Sequence, residues 1–584
     1  MKAKDVQPTI IINKNGLISL EDIYDIAIKQ KKVEISTEIT ELLTHGREKL
    51  EEKLNSGEVI YGINTGFGGN ANLVVPFEKI AEHQQNLLTF LSAGTGDYMS
   101  KPCIKASQFT MLLSVCKGWS ATRPIVAQAI VDHINHDIVP LVPRYGSVGA
   151  SGDLIPLSYI ARALCGIGKV YYMGAEIDAA EAIKRAGLTP LSLKAKEGLA
   201  LINGTRVMSG ISAITVIKLE KLFKASISAI ALAVEALLAS HEHYDARIQQ
   251  VKNHPGQNAV ASALRNLLAG STQVNLLSGV KEQANKACRH QEITQLNDTL
   301  QEVYSIRCAP QVLGIVPESL ATARKILERE VISANDNPLI DPENGDVLHG
   351  GNFMGQYVAR TMDALKLDIA LIANHLHAIV ALMMDNRFSR GLPNSLSPTP
   401  GMYQGFKGVQ LSQTALVAAI RHDCAASGIH TLATEQYNQD IVSLGLHAAQ
   451  DVLEMEQKLR NIVSMTILVV CQAIHLRGNI SEIAPETAKF YHAVREISSP
   501  LITDRALDED IIRIADAIIN DQLPLPEIML EELNPLINEI SKIISAAGNF
   551  DVKEERAAAS LLQLSGNASD FSYGRNSITL TASA

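Results

Sequence analysis

A chain of 584 residues is too long for a single small core, and its net charge of −10 gives no electrostatic reason to bind nucleic acid. Hydrophobic residues make up 46% of the chain and aromatic residues only 4%, so we expect cores of Ala, Leu, Ile and Val, which suit closely packed helices. Lys and Arg are scattered, which excludes the basic stripe typical of nucleic-acid-binding proteins.

No membrane or secretory segment is predicted. The apolar run Ile10–Ile12 is too short for a signal peptide, and residues 225–240 are interrupted by Glu235 and too short to span a bilayer. The seven cysteines include no CxxC pair and are expected to be free thiols in a reducing cytoplasm. No pattern of His, Cys, Asp or Glu indicates a metal site.

In the first part of the chain, residues 17–22 carry a helix-capping pattern, and apolar residues recur at helical spacing over 35–54, 77–91 and 105–116. A glycine-rich segment, 61–70, interrupts them and indicates a pliable loop that carries Tyr61. Residues 140–210 are mixed, with a strand-like run at 170–172. This part is therefore predicted to be a mixed N-terminal domain, residues 1–210.

From residue 211 the sequence predicts a bundle of long helices, and the fold class is mainly α. The segments with an apolar face at a period of 3.6 residues are 211–250, 257–268, 317–331, 354–386, 409–427 and 442–477. They form a predicted central domain, residues 211–485. The last domain, 486–584, has shorter helices over 490–545 and a tail after residue 548 that is expected to be peripheral or disordered.

The motif with chemical meaning is Gly149-Ala150-Ser151-Gly152. A nucleophile elbow needs Gly-x-Ser-x-Gly, and here the second glycine comes one position early. One interpretation is a tight turn at a helix N-terminus, with Ser151 or Asp153 as the cap. The other is a self-made electrophile.

The second interpretation explains each residue type. Attack of the Gly152 amide nitrogen on the Ala150 carbonyl closes a five-membered ring, and an unhindered glycine makes this attack easy. Loss of water and dehydration of Ser151 then give 4-methylideneimidazol-5-one (MIO). No ordinary side chain supplies such an electrophile.

Ala150-Ser151-Gly152, together with YGINTGFG at 61–68, resembles the aromatic amino acid ammonia-lyase family, and the resemblance extends from about residue 61 to about 476. It implies a helical fold like that of the fumarase–aspartase superfamily. It also implies MIO as the only cofactor, a small amino acid as substrate, and a homotetramer with active sites shared between subunits.

The resemblance also implies roles for individual residues. Tyr61 would be the base that removes the β-proton, Arg307 would bind the substrate carboxylate as a bidentate pair, and Glu435 would face the substrate amine. The other residues implied near the electrophile are Asn203, Gln301, Tyr304, Asn337 and Phe353.

Substrate choice is implied at Phe90 and Leu91, which match the family's ring-binding pair. Histidine lyases have Ser-His there and tyrosine lyases have His-Leu. An apolar pair favours L-phenylalanine, because a polar ring would leave its polar groups unpaired. Gln439 also favours L-phenylalanine, because histidine lyases have Glu at this position. Lys407 and Leu411 match the substrate-tunnel positions of phenylalanine lyases.

The sequence therefore favours a bacterial-type phenylalanine ammonia-lyase that converts L-phenylalanine to trans-cinnamate and ammonia. The alternatives are a phenylalanine 2,3-aminomutase, which would share nearly every residue, and a tyrosine or histidine ammonia-lyase. A non-enzymatic relative of the same fold is disfavoured by the intact Ala150-Ser151-Gly152, Tyr61 and Arg307.

The electrophile assignment predicts a spectroscopic difference. Ser151→Ala removes the hydroxyl that must be eliminated, so the variant should lack the near-ultraviolet absorbance of the conjugated ring. This absorbance should therefore appear in the difference spectrum of the wild type minus the variant. Turnover should be lost with it. Identical spectra together with unchanged turnover would contradict the assignment.

Overall fold

A computed structural model describes residues 9–14, 16–274, 277–289, 293–296, 298–478 and 480–530 of the chain. These residues belong to one compact unit, Met1–Leu530. The predicted tail after 548, and the last part of segment 490–545, lie outside the described residues. The division at 210 and 485 stays a prediction, and the first boundary falls inside a long helix, Arg206–Ala236.

Helices dominate the described chain, as predicted. They are α1 (Leu20–Ala27), α2 (Thr37–Asn55), α3 (Ile80–Phe90), α4 (Lys101–Val115), α5 (Pro124–Asn135), α6 (Leu154–Leu164), α7 (Ala179–Arg185), α8 (Glu197–Ile202), α9 (Arg206–Ala236), α10 (Ala246–Lys252), α11 (Pro255–Leu267), α12 (Leu277–Ala287), α13 (Tyr304–Arg307), α14 (Ala309–Leu313), α15 (Ile315–Val331), α16 (Gln356–Met384), α17 (Lys407–His422), α18 (Gly445–Arg477), α19 (Pro485–Ile497) and α20 (Asp508–Ile519).

Short strands connect them: β1 (Ile10–Ile12), β2 (Val33–Ile35), β3 (Thr95–Tyr98), β4 (Val139–Pro140), β5 (Pro143–Tyr145), β6 (Lys169–Tyr172), β7 (Ala175–Asp178), β8 (Leu339–Ile340) and β9 (Val347–Leu348). β1 and β2 pair in parallel. The antiparallel pairings are β3 with β5, β4 with β6, β6 with β7, and β8 with β9. The predicted strand at 170–172 is confirmed as part of β6.

The core is built on α9, α16 and α18, which contact one another along their lengths, while α4 packs on α9. These three helices have 31, 29 and 33 residues, and α9 is buried on nearly every side. A helix apolar all round is the one expected at the centre of a bundle. This arrangement confirms the predicted long-helix bundle.

Buried hydroxyls on α9 are satisfied within the helix itself. Ser209, Ser212 and Thr215 each donate to the carbonyl four residues earlier, at 2.6 to 2.7 Å. These bonds allow small polar residues in a dry helix without an unpaired donor. The small side chains also let neighbouring backbones come close, and a Cβ at Gly210 would lie 2.8 Å from the backbone of Ala106 on α4.

The predicted helix over 211–250 is wrong in its extent. The structure ends α9 at Ala236, because Leu238 adopts a left-handed backbone with φ of 51°. A 3₁₀ turn, Glu242–Tyr244, and the short helix α10 cover the remainder. Apolar periodicity continues across such a break, so the sequence pattern does not reveal it.

Two helices, α16 and α18, are long and apolar enough to cross a membrane by length and composition alone. The most apolar windows of these helices are 56% and 78% buried, respectively, inside the unit. Core helices of a folded bundle pass the same test. The incompletely covered face of α16 includes Tyr357 and Leu367, which are 72% and 59% exposed.

Candidate active site

One cavity of about 760 Å³ collects most of the predicted site residues. It lies where the 61–68 loop, the end of α3, the 146–155 segment and the 434–441 segment meet. The predicted residues that line it are Tyr61, Phe90, Leu91, Ala150, Ser151, Gly152, Asn203, Asn337, Phe353, Glu435 and Gln439. The volume is in the range of small-molecule sites.

The tripeptide Ala150-Ser151-Gly152 is clamped to Gly204 through the backbone. The Gly204 amide donates to the Ser151 carbonyl at 3.1 Å, and the Asp153 amide donates to the Gly204 carbonyl at 2.8 Å. Gly152 has a φ of 72°, and a Cβ there would lie 2.0 Å from the Gly204 oxygen. Both the conformation and the packing therefore require glycine at 152.

The other side of the turn is held by the segment before α18. The amides of Ser443 and Leu444 donate to the carbonyls of Gly149 and Val148 at 3.3 and 3.1 Å. Gly149 has a φ of 73°, and a Cβ there would lie 2.3 Å from the Ser443 hydroxyl oxygen. Hydrogen bonds from segments that are distant in the sequence therefore hold the turn on both sides.

These observations fit a segment that cyclises. Ala150 is buried, the left-handed backbone at Gly149 and Gly152 bends the chain sharply, and the clamp holds that bend. The Ser151 hydroxyl faces the cavity, where the Gln439 amide lies 3.5 Å from it. The residues present therefore suit the MIO precursor that the sequence predicts.

The cap interpretation of this turn needs correction. Asp153 occupies the N-cap position of α6, but its side chain makes no cap bond there. Instead its Oδ2 accepts the amides of Val207 and Met208 at 3.0 and 2.8 Å, in the first turn of α9. The carboxylate therefore caps the central helix and ties the turn to it.

Asp153 is fully buried, and desolvation raises its pKa to about 7 despite the amide and Ser147 hydrogen bonds that oppose this rise. The Ser147 hydroxyl lies 3.1 Å from Oδ1. Burial disfavours the charged form of a carboxylate. Asp153 thus gains its proton more easily than an exposed aspartate.

A buried ion pair forms the wall beside the tripeptide. The Lys196 ammonium lies 2.5 Å from Asp336 Oδ2, and both side chains are completely buried. Asn203 donates its side-chain amide to Asp336 Oδ1 at 3.1 Å and to the Asn337 carbonyl at 3.0 Å. Breaking such a pair leaves a buried charge, which costs about 3–5 kcal/mol. Asn203 is therefore held in place rather than free to rotate.

A second buried cation contacts the same chain segment as this ion pair. Arg206, the first residue of α9, is completely buried, and its guanidinium donates to the Ala200 carbonyl, Asn335 Oδ1 and the Ser114 hydroxyl at 2.6, 3.2 and 3.2 Å. Burial lowers the pKa of Arg206 to about 10, which leaves it charged at neutral pH. These bonds fix segment 335–337 against α4 and α9.

The loop that carries Tyr61 is ordered by its own contacts. The Gly68 amide donates to the Tyr61 hydroxyl at 2.9 Å, and Gln84 of α3 donates to the Gly62 carbonyl at 3.0 Å. Burial raises the pKa of Tyr61, and the charge of Glu435 raises it further, against the opposing effect of the Gly68 bond. Within one chain, Arg307 is not among the groups that shift the pKa of Tyr61.

Glu435 approaches this loop closely. A Cβ at Gly68 would lie 1.9 Å from Glu435 Oε1, so a side chain there would displace the carboxylate. Desolvation raises the pKa of Glu435. Glu435, Gln436 and Tyr437 all have φ between 46° and 62°, a left-handed run that is unfavourable for residues with a side chain. This strained run places Glu435 at the cavity.

Sequence reasoning missed the position of His349. Its ring meets Tyr61 edge to face, with the ring centroids 6.5 Å apart, and it lines the cavity. The histidine stands alone in the sequence, so no spacing pattern indicates a role. Its place beside Tyr61 depends on the 349–354 loop, which the bond from the Gly350 amide to Asn337 Oδ1 anchors at 2.8 Å.

Five predicted residues lie away from this cavity within the single chain. Arg307 and Tyr304 are on α13, where the guanidinium stacks over the tyrosine ring at 4.7 Å and donates to the Glu302 carbonyl. Lys407 and Leu411 are exposed on α17. Gln301 is exposed just before α13. Their assignment to the site stays a prediction that depends on an assembly.

A helical bundle that holds an Ala-Ser-Gly turn beside a half-buried tyrosine defines a lyase of helical fold. Comparison with known families matches residues 18–496 to the family described as aromatic amino acid lyase, and the chain belongs to it. The match is longer than the predicted range of about 61 to 476. The family comprises ammonia-lyases and aminomutases, and the chain is an ammonia-lyase-type enzyme on the fumarase/aspartase-like fold.

Particular relatives differ in their substrates. A hal-like protein of Dictyostelium discoideum is 49% identical over 88% of this chain and 97% of its own length. Histidine ammonia-lyase of Geobacillus thermodenitrificans is 35% identical over 86% and 94%. The solved structure of phenylalanine aminomutase from Pantoea agglomerans superposes with a TM-score of 0.85 at 32% identity, covering 88% of this chain and 100% of that one.

The family makes its MIO group autocatalytically and uses no external cofactor. In this chain Ala150, Ser151 and Gly152 are the precursor residues. The group supplies an electrophile that activates the amino acid substrate. The chain's own contribution is the clamp that bends the precursor, the buried network that holds Asn203, and the loop that presents Tyr61.

The buried carboxyl of Asp153 predicts a pH dependence of stability. Its pKa of about 7 in the folded chain lies above its ordinary value of 3.8. Between these two values the folded state keeps a proton that the unfolded state has released, so the free energy of unfolding falls as the pH rises through the window. Asp153→Asn should make this fall smaller, measured as the difference in melting temperature between pH 5 and pH 7.

The matched control is Asp97→Asn, at an exposed aspartate on β3. This variant should show the same difference between the two pH values as the wild type. If Asp153→Asn also kept the wild-type difference, Asp153 would not be the titrating group.

Proposed function

We propose that the protein is a phenylalanine ammonia-lyase, which converts L-phenylalanine to trans-cinnamate and ammonia. The observation that carries the proposal is the apolar wall of the cavity, which is formed by Leu87, Phe90 and Leu91. A phenol or imidazole placed there would lose hydrogen bonds to water without replacing them, which is unfavourable. A phenyl ring has no polar group and therefore loses no hydrogen bonds to water.

Tyr61 is the proposed base. Its hydroxyl points to the same cavity as Ser151 and is held by the Gly68 amide. Removal of a proton from the substrate's β-carbon needs the phenolate, but burial and Glu435 raise the pKa of Tyr61. A positive charge near the hydroxyl would oppose this rise, and the substrate ammonium together with the partner subunit's Arg307 would supply it.

We propose a homotetramer in which neighbouring subunits complete each active site. Two features support it: Arg307, Tyr304, Lys407 and Leu411 lie outside the cavity of their own chain, and the apolar helix α16 is only partly covered. Leu411 on the adjacent α17 is 68% exposed. Exposed apolar residues on packed helices are typical of a subunit interface. We also propose a cytoplasmic location, which the seven free cysteines support.

A second candidate is a phenylalanine 2,3-aminomutase. The superposition with the Pantoea agglomerans aminomutase favours it, because the match covers 100% of that chain and 88% of this one. A mutase would use the same residues and differ in retaining cinnamate and ammonia for re-addition. The curated relatives favour a third activity, since the Geobacillus thermodenitrificans protein is named a histidine ammonia-lyase. The comparisons thus favour the alternatives, whereas the apolar wall favours phenylalanine.

The base assignment predicts that Tyr61→Phe loses turnover, because the variant keeps the ring but lacks the hydroxyl that accepts the proton. We expect the initial rate to fall by about 100-fold or more. The near-ultraviolet absorbance of the electrophile and the melting temperature should stay close to those of the wild type. A variant with a near-normal rate would disprove the assignment.

Products distinguish the candidate activities. The enzyme is incubated separately with L-phenylalanine, L-tyrosine and L-histidine, and the products are identified by mass. Trans-cinnamate from L-phenylalanine, at a higher kcat/KM than for the other two amino acids, is the expected result. Dominant β-phenylalanine would instead identify an aminomutase, and preference for L-histidine would identify a histidine lyase.

Phe90→His serves as the specificity variant in the same assay. It adds a polar group to the apolar wall and should shift the kcat/KM ratio toward L-tyrosine by about tenfold or more. Val251→Ala, at a residue on α10 that is 87% exposed and does not line the cavity, reports whether an unrelated apolar truncation shifts the ratio. Equal ratios in the wild type and Phe90→His would remove Phe90 from the specificity argument.

A further inference from the structure

A second cavity, of about 340 Å³, lies apart from the active site. It is bounded by β1, the start of α2, the end of α4 and the loop between β8 and β9. None of its lining residues is shared with the active-site cavity. We refer to it as the Trp119 cavity, after the residue at its edge.

The body of the Trp119 cavity is apolar. Ile39 and Leu113 are buried in its wall, and Leu42 is half-buried beside them. Trp119 is the only tryptophan of the chain, and its indole N–H has no hydrogen-bond partner among the described residues. The cavity is in the size range of small-molecule sites and offers both an apolar surface and a free donor.

Charges of both signs surround this apolar body. Lys14, Lys117, Asp341 and Glu343 line the cavity. Within the described part of the chain, the ammonium groups of the two lysines and the carboxylate of Glu343 form no ion pair. Among the described residues, the Asp341 carboxylate accepts only the Glu343 amide, at 2.8 Å.

We propose that the Trp119 cavity binds a free amino acid with an apolar side chain, distinct from the substrate in the active site. The amino acid's carboxylate pairs with Lys117, its ammonium pairs with Asp341 or Glu343, and its side chain enters the apolar body. A simple organic anion would pair with the lysines, but it would be repelled by the two carboxylates beside it. A zwitterion matches both signs, and an apolar chain matches the wall.

The position of the cavity gives this site a connection to the active site. Ile332 and Asp341 line it, and between them the same segment carries Asp336, which pairs with Lys196 beside the tripeptide. On α4, Leu113 lines the cavity, and the next residue, Ser114, donates to Asn335 Oδ1 at 3.1 Å. Segment 332–341 thus contributes to both cavities, through Ile332 and Asp341 to one and through Asn337 to the other.

Tryptophan fluorescence tests the proposal on the full-length protein, because all emission from Trp comes from this one residue. The probe is L-leucine, and its two halves are 4-methylpentanoate, which lacks the ammonium, and 3-methylbutylamine, which lacks the carboxylate. L-leucine should give a saturable change of emission, with a Kd at least about threefold below that of either half.

Lys117→Ala should raise the Kd for L-leucine by about threefold or more, since it removes one partner of an exposed ion pair. Lys325→Ala, at an exposed lysine on α15, is the matched control and should bind as the wild type does. Leu42→Phe narrows the cavity and should also weaken binding, with the melting temperature as the check on folding.

Three results would overturn the proposal. The first is the absence of a saturable change with L-leucine. The second is equal binding of 4-methylpentanoate and L-leucine, which would indicate an anion site. The third is an unchanged Kd in both Lys117→Ala and Leu42→Phe, which would place the bound leucine elsewhere.

Discussion

The backbone clamp between Gly204 and the tripeptide is the interaction on which the rest of the site depends. Two hydrogen bonds join Gly204 to Ser151 and Asp153, and Gly204 lies two residues before the start of α9. The Asp153 carboxylate then accepts two amides of that turn. The reactive segment is therefore attached to the start of the most buried helix, which limits its freedom to move.

The buried charges extend this attachment on the opposite side. Lys196, at the N-cap of α8, and Arg206, at the start of α9, both reach segment 335–337, through Asp336 and Asn335 respectively. Charges buried this deeply are unfavourable unless every partner is in position. The network therefore specifies one arrangement of α8, α9 and segment 335–337, and Asn203 takes its orientation from that arrangement.

Much of this could be predicted from the sequence, because the decisive signals are local. Helical periodicity placed α16 and α18 to within a few residues but extended α9 by 14 residues, and residue chemistry identified Ala150-Ser151-Gly152. The capping pattern at Ser19 is also confirmed, since its hydroxyl accepts the Asp22 amide while the Asp22 carboxylate accepts the Ser19 amide. Each of these features is decided within one turn or one helix.

The remainder depends on contacts between distant segments. The sequence gives Asp153 as a cap but does not reveal that it caps α9 rather than α6, because Gly204 and Val207 are about 50 residues away. Lys196 and His349 have no pattern around them. Their roles arise only when the folded chain places Asp336 beside Lys196 and Tyr61 beside His349.

Formation of the electrophile and binding of the substrate carboxylate depend on different sets of contacts. The residues that shape the tripeptide, Ser147, Gly204 and Ser443, belong to the same chain, so the bent precursor is complete in the folded subunit. Arg307, the proposed carboxylate ligand, lies on α13 and packs on its own Tyr304. In the proposed tetramer, formation of the electrophile therefore needs only folding, whereas binding of the substrate carboxylate needs assembly as well.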